Sequence, residues 1–153
     1  MTTLRPASAV APESVTDAIA ALRSHGLRVS TSRRMVLEAL FAAEEPVSAD
    51  RIAKGLDGRL PPLDVASVYR NLETLEELGV VGHFHTGTGP GLYTLAGSRA
   101  REYLVCDACG AVRTVDAREL DNVRAVLRQE LGWTARFSRV ALAGTCPECS
   151  AAH

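Results

Sequence analysis

The chain has 153 residues, 46% of them hydrophobic and 23% charged, with a formal net charge of −1. That length suits one ordinary domain or two small ones. It carries no apolar run long enough to span a bilayer and no secretory pattern at its start, and its charge excludes a protein that coats nucleic acid indiscriminately. A cytoplasmic location is expected, and in that reducing compartment paired cysteines favour metal over disulfides.

Residues 1–13 are Ala/Pro/Thr-rich without periodicity and are expected to form a flexible tail. Ser14 and Asp17 have the spacing of a capping box, with Asp in place of Glu. The helix they open runs to about Ser24, with Val15, Ile19 and Leu22 on one side, and Gly26 ends it. Ser30 or Thr31 caps a second helix that turns Met35, Val36, Leu37 and Leu40 inward, and Pro46 breaks it. Ser48 caps a third helix through Ile52 and Leu56. Gly58 and the pair Pro61-Pro62 form the next turn.

Residues 64–79 read DVASVYRNLETLEELG. Asp64 is a good N-cap, and Gly79 suits the left-handed close of a helix. Val65, Val68, Leu72, Leu75 and Leu78 recur on one helical face. The opposite face opens with Ala66, Ser67 and Arg70, flanked by Tyr69 and Asn71, while Glu73, Glu76 and Glu77 fall towards the other end. Small, hydrogen-bonding and cationic groups on the first two turns suit a helix entering the major groove N-terminus first. Taken alone, an ordinary amphipathic helix with a solvated face explains the pattern better.

The next residues change the balance. Residues 80–85 and 92–95 read as two short strands joined by the glycine-rich TGTGPG loop. Short helices followed by such a hairpin are the order of a winged helix–turn–helix module, in which the last helix enters the groove and the hairpin lies against the backbone. Helix and hairpin together favour DNA binding, which at this net charge must come from a local patch.

From Gly97 a second unit follows: strands at 103–106 and 111–115, a helix over 117–131 with Leu120, Val123, Leu127 and Leu131 on one face, and a last strand at 137–142. The predicted fold class is α+β, an N-terminal winged helix–turn–helix domain plus a small C-terminal α/β domain. So small a sheet unit needs a staple or a partner. All four cysteines fall in two matched pairs, Cys106-x-x-Cys109 and Cys146-x-x-Cys149. Two residues between thiolates let a tight turn aim both sulfurs at one tetrahedral Zn²⁺, a closed structural site, one ion per monomer, whose ligation couples to folding. The alternatives are redox pairs or disulfides, and a zinc site whose thiolates oxidise and release the metal under stress.

The segments GLRVSTSRR, VASVYRNLETLEELGVV, LVCDACG and GTCPEC, in that order, resemble the ferric-uptake-regulator (Fur) family of metal- and peroxide-responsive bacterial transcription factors, from about Ser14 to Cys149. The resemblance implies a winged-helix domain at 14–96, a hinge at 97–101 and a dimerisation domain at 102–153. The homodimer presents two recognition helices to an inverted-repeat, double-stranded operator. It places Tyr69 and Arg70 against bases and phosphates, with Ser67 just before them and Asn71 just after. Arg28 falls where a basic residue probes the minor groove, and Arg33 lies at the backbone-facing start of the second helix. It makes Cys106, Cys109, Cys146 and Cys149 the structural zinc ligands.

The chain departs from the family where a histidine-rich run supplies the sensory metal site. Here residues 98–103 read SRAREY, and the other sensing positions fall on Pro46, Thr94, Asp121 and Ser138. Of these only Asp121, with Glu102 in the former histidine run, keeps a ligating side chain, and Arg99 and Arg101 would repel a divalent ion. Two expectations follow. In the first, a guanidinium, Arg99 or Arg101 paired with Asp121 or Asp116, does the metal's work. In the second, His83 and His85, on one side of a strand, supply two ligands of a relocated sensor; the plainer reading is a pair of exposed wing residues. His25 and His153 read as surface residues.

The expected function is a sequence-specific DNA-binding transcriptional regulator of the Fur type, a repressor by the family's usual mode, with an altered or lost regulatory metal site. The alternative is a redox-responsive or protein-interaction module that keeps the fold, with thiolate oxidation and zinc release as its switch. No nucleophile–base arrangement, phosphate loop or open metal position points to an enzyme.

Overall fold

Short polar side chains start the helices of the first half of the chain. Ser14 Oγ accepts from the Asp17 N–H at 3.1 Å to open α1 (Val15–Ser24). Ser30 Oγ accepts from the Arg33 N–H at 3.2 Å to open α2 (Thr31–Ala42), and Ser48 Oγ from the Arg51 N–H at 3.2 Å to open α3 (Ala49–Ala53). Each cap satisfies a backbone donor that the first turn leaves free.

The third helix ends earlier than its sequence pattern implies. Gly55 (φ +70), Leu56 (φ 52) and Asp57 (φ 62) turn left-handed, so α4 (Gly55–Gly58) is a single kinked turn. Leu56 is fully buried, and the Leu60 N–H donates to the Gly55 carbonyl at 2.8 Å. Core burial and this bond hold a backbone that a non-glycine residue otherwise avoids. Then α5 (Val65–Glu77) begins on Asp64, whose Oδ2 accepts from the Ser67 N–H at 3.0 Å.

The computed structural model describes residues 12–85, 89–95, 101–137 and 141–152. By contact the chain divides into two units, Met1–His83 with Leu92–Ser98, and Phe84–Gly91 with Arg99–His153. Most of the tail expected at 1–13 and most of the expected hinge fall outside the described residues.

Leu22, Leu37, Ile52, Leu56, Leu72 and Leu75 are the largest fully buried side chains of the core shared by α1, α2, α3, α4 and α5. Beside them β1 (Val47–Ser48), β2 (Val81–His85) and β3 (Gly91–Leu95) form a sheet in the order β1-β3-β2, with Val47 opposite Tyr93 in the antiparallel β1–β3 pair. This is the winged helix–turn–helix expected from the sequence. The two-residue β1 has no alternation to betray it, and only its partner β3 defines it as a strand.

In the second unit β4 (Arg101–Cys106) pairs antiparallel with β5 (Val112–Asp116), from Arg101 opposite Asp116 to Val105 opposite Val112. On its other edge β4 pairs parallel with β6 (Leu142–Gly144). The last strand therefore lies later than the expected 137–142; residues 138–140, with Ser138, fall outside the described ones. Between the strands, Asp116 and Glu119 form a capping box on a 3-10 turn, Ala117–Leu120, that leads into α6 (Asp121–Leu131). The chain then ends in a short α7 (Pro147–Ala151). Few described side chains are buried here: Phe84, Tyr103, Val105 and Val115 beside Cys106 and Glu102. The architecture is α+β, and no helix among the described residues is long and apolar enough to cross a membrane.

A Cβ built on Gly55 would lie 1.9 Å from the Leu60 carbonyl oxygen. Gly55→Ala therefore forces a backbone shift as well as a strained φ, and is expected to cost about 2 kcal/mol or more, read as a lower midpoint in urea unfolding.

Candidate functional site

The cysteine centre is assembled by two local turns. β4 delivers Cys106, which is buried, and the chain turns through Gly110 (φ +75), whose N–H donates to the Cys106 carbonyl at 2.9 Å; this aims Cys109 back towards it. The second pair sits on α7, with Cys146 as N-cap, its Sγ accepting from the Cys149 N–H at 3.4 Å. The Cys146 N–H in turn donates to Cys106 Sγ at 3.3 Å. All four Sγ atoms lie within 4.8 Å of one another, and Cys109 Sγ is 3.8 Å from Cys146 Sγ. With Zn–S bonds of about 2.3 Å, a tetrahedral Cys₄ site has sulfurs about 3.8 Å apart. The residues fit a structural Zn²⁺ with no coordination position left for water.

Charge in the cluster is uneven. Backbone N–H donation from Cys146, and then from Cys109, lowers the Cys106 thiol to about 6. Cys149 is pushed up to about 12, first by its hydrogen bond with the Cys146 side chain and then by that with Cys109. The backbone donors around Cys106 thus favour its thiolate, the form that ligates an ion.

Helix α5 packs Val68, Asn71, Leu72 and Leu75 inward. Val65, expected on that face, is instead 39% exposed. On the outer side Tyr69 and Arg70 are exposed, and Ser67 is half-buried. Arg28, on the approach to α2, is exposed as well.

Arg33 and Asn71, expected to face DNA, instead bind each other. Arg33 Nε donates to Asn71 Oδ1 at 3.1 Å, and Arg33 Nη1 donates to the Arg28 carbonyl at 2.7 Å. The buried Asn71 amide donates to the Ser67 carbonyl at 2.9 Å and to Ser32 Oγ at 3.4 Å. They form a brace between α2 and α5, behind the outer face.

Among the described residues, the two wing histidines join no group of three or more side chains that could share an ion. His83 Nδ1 donates to Glu76 Oε1 on α5 at 2.5 Å, and its ring stacks on Tyr93 with centroids 5.3 Å apart. His85 is exposed at the end of β2. Among the described residues the four cysteines are the one group of three or more such side chains close enough to share an ion. Pro46 is buried and Thr94 half-buried, and neither joins a cluster.

Of the expected guanidinium pairing, Arg101 stands opposite Asp116 in the β4–β5 pair. Arg99 falls outside the described residues, and Arg101 is exposed. Asp116 accepts from the Arg118 N–H at 2.9 Å and pairs with the Arg118 side chain at 3.3 Å; that backbone donation holds its carboxyl below its ordinary value. Asp121 and Glu102 share Arg124 instead, at 2.8 and 2.6 Å. Sequence reasoning missed Arg124, although its i,i+3 spacing from Asp121 on one helix is a readable signal.

A winged helix–turn–helix unit and a small sheet unit closed by four cysteines, in one chain, define a DNA-binding class of fold with a structural metal centre. The chain belongs to the ferric uptake regulator family, which it matches over residues 24–142. It is 28% identical over 141 residues to the peroxide operon regulator of Bacillus subtilis (strain 168), covering 92% of this chain and 97% of that protein. The fold is similar to that of the Helicobacter pylori ferric uptake regulator, with a TM-score of 0.70 at 19% identity, covering 89% and 91% of the two chains. It is also similar to the manganese-bound ferric uptake regulator of Pseudomonas aeruginosa, with a TM-score of 0.63 at 27% identity, covering 84% and 97%.

Protons compete with the ion for the sulfurs. In the metal-free protein the lowered Cys106 thiol adds stability that is present above its ordinary value near 9 and is lost as pH falls through about 6. Zinc release to a chromogenic chelator is expected to accelerate as pH falls, because protons and the ion compete for the same thiolates. Cys109→Ser is expected to abolish stoichiometric zinc by elemental analysis.

Proposed function

We propose that the chain is a homodimeric, sequence-specific DNA-binding transcriptional regulator, acting as a repressor, with α5 as its reading helix. The observation that carries this is the division of α5 into two faces. Its inner face is locked by Val68, Leu72 and Leu75 in the core and by the Asn71–Arg33 brace, while Tyr69 is 50% exposed and Arg70 projects beside it. A guanidinium can hold guanine or phosphate in a bidentate manner, and a tyrosine ring can meet a thymine methyl. Ser67 and the exposed Arg28 complete the polar and cationic lining. The acids Glu73, Glu76 and Glu77 sit farther along, so the N-terminal turns are the ones a phosphate backbone tolerates.

Homodimer formation is supported by α6, which has no buried residue in the single chain although its sequence is amphipathic. Val126 is 54% exposed and Leu131 65%, with Trp133 at 72% just beyond the helix. An apolar strip of this kind on a protein of ordinary surface marks an association face. Regulation by this family member follows the name of its Bacillus subtilis relative, the peroxide operon regulator. The zinc centre serves the fold of the pairing unit.

Selection from a random-duplex pool with zinc-loaded protein is expected to return a twofold-symmetric site. On that site Arg70→Ala should weaken binding about ten- to a hundredfold with an unchanged melting temperature. Asn71→Ala should instead lower stability by about 1–3 kcal/mol, because it strands the Arg33 donor. Recovery of no symmetric site, or full affinity in Arg70→Ala, would refute the reading. Val126→Asp is expected to shift the protein from dimer to monomer in sedimentation equilibrium.

A further inference from the structure

Apart from the cysteines, the described residues of the second unit bring a buried carboxylate into a charged cluster that folding must settle. The Glu102 side chain on β4 is only 5% exposed. Its Oε1 accepts from Arg124 Nη1 at 2.6 Å. The same guanidinium donates through Nη2 to Asp121 Oδ1 at 2.8 Å and to the Ala117 carbonyl, and its central carbon lies 5.7 Å from the centre of the Phe137 ring. Oxygens from β4, from the 3-10 turn and from α6 thus converge on a single cation. Among the described residues Glu102 Oε2 is buried without a hydrogen-bond partner.

Two carboxylates and a carbonyl make a donor set for hard divalent ions. Such an ion does not fit here. A permanent positive charge already sits within hydrogen-bond distance of both carboxylates, and its repulsion of a second cation is poorly screened in so enclosed a place. Asp121 is 65% exposed, so water moderates its excess charge. Glu102 has no such relief, and Arg124 is its one described counter-charge.

We propose that Arg124 is the resident cation of the C-terminal unit, occupying the place a divalent ion would take between Glu102 and Asp121, so that the unit keeps its folded form with the cysteine-bound zinc as its one metal ion. This deepens the regulator reading by removing a second ion from its control, but the geometry behind it is independent of DNA binding.

The test uses full-length, zinc-loaded protein with Mn²⁺ as the probe. Wild type is expected to retain no Mn²⁺ after gel filtration, and its melting temperature should not move when Mn²⁺ is added. Arg124→Met leaves Glu102 uncompensated, so its melting temperature should fall, and Mn²⁺ should raise it again by binding the native state. The double variant Arg124→Met, Glu102→Gln removes both charges. It should melt higher than Arg124→Met alone and should not respond to Mn²⁺, because no buried charge remains to be matched. A second divalent ion held per wild-type monomer overturns the proposal. So does an Arg124→Met protein as stable as wild type, or a double variant less stable than Arg124→Met. If Arg124→Met does not fold, the wild-type titration and the double variant still decide. None of these readouts needs DNA, so loss of the operator-binding reading leaves them intact.

Discussion

Four sulfurs gathered within 4.8 Å of one another cannot all be thiolates without a counter-charge among them, and the second unit is organised around that constraint. Its described buried apolar side chains, Phe84, Tyr103, Val105 and Val115, are too few to hold a three-stranded sheet by themselves. Ligation of zinc contributes on the order of 10 kcal/mol in small metal-folded peptides, which is more than such a core supplies. The ion would join the end of β4 to α7, and with it the parallel β6 pairing that sets Gly144 opposite Cys106. One ion thus ties the sheet's central strand to the chain's last helix.

The same unit neutralises its other buried charge by a different route. At Glu102 the counter-ion is part of the chain, a guanidinium that stays protonated under all ordinary conditions. A thiolate-bound metal answers to chelators, oxidants and acid, because each can take a ligand or the ion away. An internal arginine can be neither chelated nor oxidised away. The two devices therefore divide the unit into a part held by a removable ion and a part held by a covalently attached one. The exposed Cys109 lies on the first.

In the first unit the constraint is mechanical. A helix that reads a groove has to be held from behind by contacts that do not use its reading face. On α5 the core takes Val68, Leu72 and Leu75, and the Asn71–Arg33 pair ties the helix to α2 and to the backbone at Arg28. His83 links the wing to the C-terminal half of the same helix through Glu76. What remains outward is small, and so its geometry is well determined.

The sequence by itself determined the features that arise within a few residues of chain. The caps at Ser14, Ser30, Ser48 and Asp64, the helical stripe of α5, the hairpin after Gly79 and the paired CxxC turns were all legible, because capping, periodicity and ligand spacing are set by covalent geometry over three or four positions. The fold class followed from their order. Only tertiary structure decided where long polar side chains end. Arg33 turns to Asn71, 38 positions away, and Arg124 to Glu102, 22 positions away; a flexible guanidinium takes whichever carboxylate or amide the packing brings within reach. Leu56 and Asp57 adopt left-handed backbone because the core claims Leu56, which no local preference foretells. The two-residue β1 and the parallel β6 exist as strands through partners far along the chain, and a strand defined by its neighbour leaves no period of its own to read.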